Sequence, residues 1–89
     1  MMINGSTQAH EQVGSAVRNL IAAHLRVNPR RVTDEARLVE DLGADWLDRL
    51  ELMIAIEDRF CAVEIGEDQA DQLVIVGDLV RFIEARQPN

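Results

Sequence analysis

Residues 38–60 read Leu38-Val39-Glu40-Asp41-Leu42-Gly43-Ala44-Asp45-Trp46-Leu47-Asp48-Arg49-Leu50-Glu51-Leu52-Met53-Ile54-Ala55-Ile56-Glu57-Asp58-Arg59-Phe60. From Trp46 onward the apolar side chains recur at steps of three and four, which predicts a helix over residues 46–60. Asp45 stands directly before it, where a carboxylate accepts from the free N–H groups of the first turn and favours the positive end of the helix dipole. At about 100° per residue, Trp46, Leu47, Leu50, Leu52, Met53, Ile54, Ile56 and Phe60 fall within an arc of roughly 220°. A helix resting on a single core needs an arc of about 100° or somewhat more. Leu52, Ile56 and Phe60 make a sufficient inward stripe, which leaves Leu47, Leu50 and Ile54 as a second one bordered by Asp48, Glu51, Glu57 and Asp58. Either that second stripe docks a partner with aliphatic side chains ringed by Arg or Lys, or it is covered by another part of the chain and the acids form a solvated face. Periodicity alone does not separate the two.

Working outward, Val13, Val17, Leu20, Ile21 and Leu25 predict a first helix over about residues 9–26, ended by Asn28-Pro29 because a proline disfavours helical geometry in the residue before it. A long loop follows, whose aliphatics Val32, Leu38, Val39 and Leu42 are expected to pin it to the core. A short helical turn is expected near Asp68–Gln72, and a last helix from about Val76 to Arg86 buries Val76, Leu79, Val80 and Ile83. No Ser, Thr, Asp or Asn directly precedes Val76, so the start of that helix is drawn toward Asp78. The reading is one all-α domain over residues 9–86, a small four-helix bundle with a long loop between its first two helices. Residues 1–8 read as a flexible tail and 87–89 as a C-terminal tail.

Composition narrows the function. The 89 residues carry nine arginines and no lysine against 16 acids, for a net charge of −7, and nine of those acids lie within residues 34–58. Nucleic-acid binders need clustered cations, so that class is excluded and basic proteins are the expected partners. One cysteine rules out an internal disulfide framework, and no long apolar run or signal-like start is present, which points to a cytoplasmic protein with no membrane role.

The run Glu40-Asp41-Leu42-Gly43-Ala44-Asp45, with Leu47-Asp48, Glu51-Leu52 and Ile56-Glu57 behind it, resembles the signature of acyl carrier proteins of fatty-acid, polyketide and related syntheses. The resemblance extends from about Val13 to Ile83. It implies an acyl carrier protein-type domain whose second helix is read by acyl-chain synthases, acyltransferases or a phosphopantetheinyl transferase through a basic patch, the chain acting as a monomer. It makes Asp45, Asp48, Glu51, Glu57 and Asp58 the acidic contacts and Leu47, Leu50 and Ile54 the apolar ones.

In that family an Asp-Ser-Leu motif supplies the serine hydroxyl that carries 4′-phosphopantetheine; this chain has Asp45-Trp46-Leu47. An indole offers one N–H and no hydroxyl, so the chain carries no such cofactor as written, whereas a serine at 46 would imply one. It is either a blocked carrier or a divergent paralogue; the alternative function is a non-carrying interaction or regulatory module using the same helix face. The indole has three readings. It folds along the helix or plugs the cleft where the family shelters acyl chains, worth at most about 4–6 kcal/mol; it anchors an interface; or it is exposed without a role.

Other chemistry is not supported. An EF-hand register from Asp41 would place Gly43 at position 3, Trp46 at position 6 and Leu52 at position 12, so no metal site is expected. His10 and His24 lack ligand-spaced neighbours, Cys61 reads as a small buried or half-buried residue, and no catalytic constellation or enzyme activity is expected.

Overall fold

The computed structural model describes residues 5–61 and 63–87, with side chains from residue 12 onward. Helix α1, Gly5–Leu25, buries Val13, Val17 and Ile21 on one face, with Leu20 and Leu25 partly covered beside them. It begins four residues before the expected start at 9, since an established helix adds further turns at little cost. The expected tail is thus helical over 5–8, and residues 1–4 lie outside the described residues.

α1 ends within a residue of the expected position, but by a different means. Proline geometry at Asn28 does not stop it; Arg26 does, turning left-handed at φ 57° while the Val27 N–H donates to Ala22 O at 3.1 Å. This six-to-one bond is a Schellman closure with arginine where glycine is usual. Pro29 instead opens a short 3₁₀ turn, Pro29–Arg31, with the Asn28 side chain accepting from the Arg30 N–H at 2.9 Å.

The loop to the next helix packs through Val32, Ala36, Leu38, Leu42 and Ala44, all buried, whereas Val39 is exposed, contrary to expectation. Between residues 37 and 43 the chain curls on itself. The Asp41 carboxylate accepts from the Arg37 backbone N–H (2.9 Å) and side-chain Nε (3.2 Å), and these bonds hold Asp41 below the usual carboxylate range. Gly43, at φ 76°, turns the chain into helix α2, Trp46–Arg59. As expected, Leu52, Ile56 and Phe60 are buried; Met53 joins them.

A six-residue helix, α3 (Glu67–Gln72), buries none of its own residues and hangs between the buried Val63 and Leu73. Helix α4, Val76–Glu84, begins two residues before Asp78 because its cap comes from elsewhere. The Val76 and Gly77 N–H groups donate to Ala36 O (3.0 Å) and Asp34 O (2.9 Å), and Leu38 N–H donates to Val74 O (3.0 Å). Loop carbonyls therefore replace the missing capping side chain. A Cβ on Gly77 would stand 3.1 Å from Asp34 O, so the close approach depends on glycine there. Val76, Leu79, Val80 and Ile83 are buried, and α1 packs against both α2 and α4. The architecture is all-α. Among the described residues there is no strand, only an isolated bridge between Arg37 and Ile75, and no helix is long and apolar enough to cross a membrane.

Candidate functional site

The start of α2 is fixed from both sides of its first turn. Asp45 has extended geometry (φ −91°, ψ −174°) and its Oδ1 accepts from the Asp48 N–H at 2.8 Å, while Asp48 Oδ2 accepts from the Asp45 N–H at 3.1 Å. This reciprocal box goes beyond the single cap expected at Asp45. Its signal was the acid three residues on, with aspartate in place of the usual glutamate. Two carboxylates at this end also complement the helix dipole.

Trp46 is the first residue inside α2, and its side chain leaves the body of the protein: it is 74% exposed. The full burial that would have sealed a cleft does not occur. Leu47, Leu50 and Ile54 are 51%, 42% and 57% exposed, so neither the loop nor α4 covers the second stripe. Of the expected acidic contacts, Asp45, Glu51 and Asp58 are exposed, while Asp48 and Glu57 are partly covered.

Beside Trp46 lies a cleft of about 270 Å³ between α2 and α3, lined by Trp46, Leu50, Met53, Ile65 and Ala70, with Arg49, Glu67 and Asp71 around it. Two contacts that sequence reasoning did not anticipate shape it. Arg49 Nη2 donates to Ala70 O at 3.0 Å and lies 3.6 Å from Asp71 Oδ1, tying α3 to α2. Glu57 Oε2 accepts from the Ile65 N–H at 2.8 Å, fixing the strand of chain that leads into α3. A wider recess of about 710 Å³ runs along α1 past Gln12, Ser15, Asn19 and Arg59, away from the start of α2.

No hydroxyl stands at the start of α2. Among the described side chains the candidates Ser15 and Thr33 lie on α1 and in the following loop, both exposed. Trp46 offers only an indole N–H, which cannot form a phosphodiester. The remaining candidates supply no chemistry either. Among the described residues no His, Cys, Asp and Glu grouping could hold a metal ion, and His24 is exposed. The side chain of His10 lies outside the described residues. Cys61 is exposed rather than buried, with Sγ 3.9 Å from Asp58 O just past the last turn of α2.

Residues 15–83 match the family described as "Phosphopantetheine attachment site". The chain is 42% identical over 71 residues to an acyl carrier protein of Wolinella succinogenes, covering 80% of this chain and 92% of that protein. It is 41% identical over 73 residues to one from Bradyrhizobium sp. (strain ORS 278), covering 82% and 91%. The structure of the acyl carrier protein from Enterococcus faecalis superimposes with a TM-score of 0.75 at 29% identity, over 88% of this chain and 98% of that one.

Proposed function

Since the chain belongs to the phosphopantetheine-attachment family and is an acyl carrier protein-type domain, we propose that it presents α2 to basic patches on acyl-chain synthases and acyltransferases while carrying no phosphopantetheine itself. Members of this family are carriers rather than enzymes, and they interact with synthases and acyltransferases generally. In the family the prosthetic group supplies a thiol that holds the acyl chain. Here the residues at the start of α2 do not fit that group, because attachment needs a hydroxyl and position 46 has an indole.

The observation that carries the reading is the pairing of an intact first turn with the wrong nucleophile. Gly43, the Asp45–Asp48 box and the exposed position 46 form a well-built entry to α2 at which only the side-chain chemistry is missing. Asp45, Asp48, Glu51, Glu57 and Asp58 supply the negative field, and Leu47, Leu50 and Ile54 the apolar contact. The acidic surface favours a monomer, and the lone cysteine favours action in the cytoplasm.

The test is to incubate the parent chain and Trp46→Ser with coenzyme A and a phosphopantetheinyl transferase, and to follow intact mass. The parent should stay unmodified and the serine variant should gain one phosphopantetheine. Modification of the parent would refute the claim that it is blocked. A folded serine variant that gains no mass would instead favour a divergent interaction module that no longer presents the attachment site.

A further inference from the structure

We infer that Trp46 is the anchoring side chain of a non-covalent docking face, and that its occupant is a protein surface with an apolar socket ringed by arginine and lysine. The inference rests on the docking role proposed for α2 and adds the residue that dominates it.

Of the six exposed large apolar side chains among the described residues, Trp46, Leu47, Leu50 and Ile54 lie on α2. At about 100° per residue these four fall within an arc of roughly 100°, so they form one continuous stripe and not scattered exposures. Trp46 sits at its upper end and is the least covered. The stripe runs between two acidic margins. Glu51 and Asp58 follow it on α2, and Glu67 and Asp71 face it from α3 across the cleft. Arg49, which also lines the cleft, pairs with Asp71 and donates to Ala70 O, so its charge is offset by one of those acids.

That charge pattern selects among occupants. A second copy of this chain would set acidic margins against acidic margins, at −7 per chain. A nucleic acid or an anionic lipid surface meets the same repulsion. A cationic rim around an apolar socket is complementary on both counts, with the charges steering encounter and the desolvated centre setting affinity. Tryptophan is the side chain most suited to that centre, combining large apolar area with few rotatable bonds.

The test uses the full chain labelled with 5-fluorotryptophan, which reports on Trp46 alone because the chain has one tryptophan. A purified acyl-chain synthase, acyltransferase and phosphopantetheinyl transferase of the source organism are titrated in, with ¹⁹F NMR and fluorescence anisotropy as readouts. At least one enzyme should shift or broaden the ¹⁹F resonance, and Trp46→Ala should weaken its binding by about 30-fold or more, the hot-spot threshold. Glu51→Gln with Asp58→Asn should slow association and flatten its salt dependence. Equal binding by Trp46→Ala and parent would overturn the anchor while leaving docking through α2 intact. Binding by Trp46→Ser but not by the parent would do the same, since the indole would then obstruct the face. Failure of all three enzymes to bind either form would overturn both proposals. Sedimentation showing self-association that Trp46→Ala abolishes would make the occupant a second copy and overturn the inference.

Discussion

Arg26→Gly should stabilise this protein although it deletes a charged side chain. Arg26 closes α1 in the left-handed region at φ 57°, where the Cβ of an L-residue crowds the following carbonyl and costs roughly 1–2 kcal/mol. The conformation is imposed by the Schellman bond from Val27 N–H to Ala22 O, so the residue cannot relax without releasing the helix end. Glycine removes the steric cost but adds about 0.5–1 kcal/mol of unfolded-chain entropy. The net expectation is a gain of about 0.5–1 kcal/mol, or about 2–8 °C in Tm for a domain of this size. Urea unfolding followed by far-UV circular dichroism measures it, with Arg26→Ala as the control that also removes the guanidinium but keeps Cβ. Arg26 is exposed, so loss of the guanidinium alone should have little effect. If the glycine variant proved no more stable than the alanine variant, the claim that backbone geometry at residue 26 stores this cost would be refuted.

The two stripes of α2 should separate cleanly in urea titrations. Leu52→Ala, at a fully buried site, should cost about 2–5 kcal/mol, whereas Ile54→Ala should change stability by no more than about 0.5 kcal/mol; similar losses at both sites would mean that the outer stripe is covered. Asp45→Ala removes one half of the capping box and should cost about 0.5–2 kcal/mol in the same assay, with earlier amide exchange in the first turn of α2. Asp41 is held below its usual value of 3.8 by its bonds to Arg37, so it binds its proton less readily folded than unfolded. Its stabilising effect is therefore full above that value and is lost as pH falls through the lower folded value. Asp41→Asn should flatten the acid arm of a stability-versus-pH curve below about pH 4, and an unchanged slope would show that the Arg37 contacts do not persist in solution.

What was legible in the sequence was local. The entry to α2 could be read because its determinants lie within a few residues: a glycine for the turn, an acid at the cap and an apolar period that sets Leu52, Ile56 and Phe60 inward. The apolar period placed the start of α4 at about Val76, where it lies, but its cap could not be read, because its capping groups are the carbonyls of Asp34 and Ala36, some forty residues earlier, and backbone acceptors leave no mark on composition. The end of α1 was placed to within a residue, but its cause was misread for a related reason. Arginine carries no left-handed preference, and the bond that demands the conformation is made by its neighbours. Val39 was expected to pin the loop with Leu38 and Leu42, but the tight curl around Asp41 turns it outward. The exposure of Trp46 depended on what lies beside the first turn of α2. That is set by the position of α3, which in turn hangs on Arg49 and Glu57 reaching residues with no recognisable pairing signal.

These long-range contacts also revise what the acidic character of α2 means. Counted along the sequence, five carboxylates between Asp45 and Asp58 look equally available to a basic partner. In the folded chain Asp45 and Asp48 each accept an N–H from the other's backbone, and Glu57 accepts from Ile65. A carboxylate already fixed by an internal hydrogen bond keeps its charge but has fewer free lone pairs and less freedom to meet an incoming guanidinium. It contributes to the long-range field that governs encounter more than to the short-range bonds that govern dissociation. Glu51 and Asp58 are exposed and remain adaptable, and they flank the apolar stripe directly. On the docking role proposed for α2, the face is thus graded: structural acids at the two ends of α2 would set its shape and potential, free acids at its margin would form partner-specific bonds, and the apolar stripe between them would supply the area whose desolvation makes an encounter last.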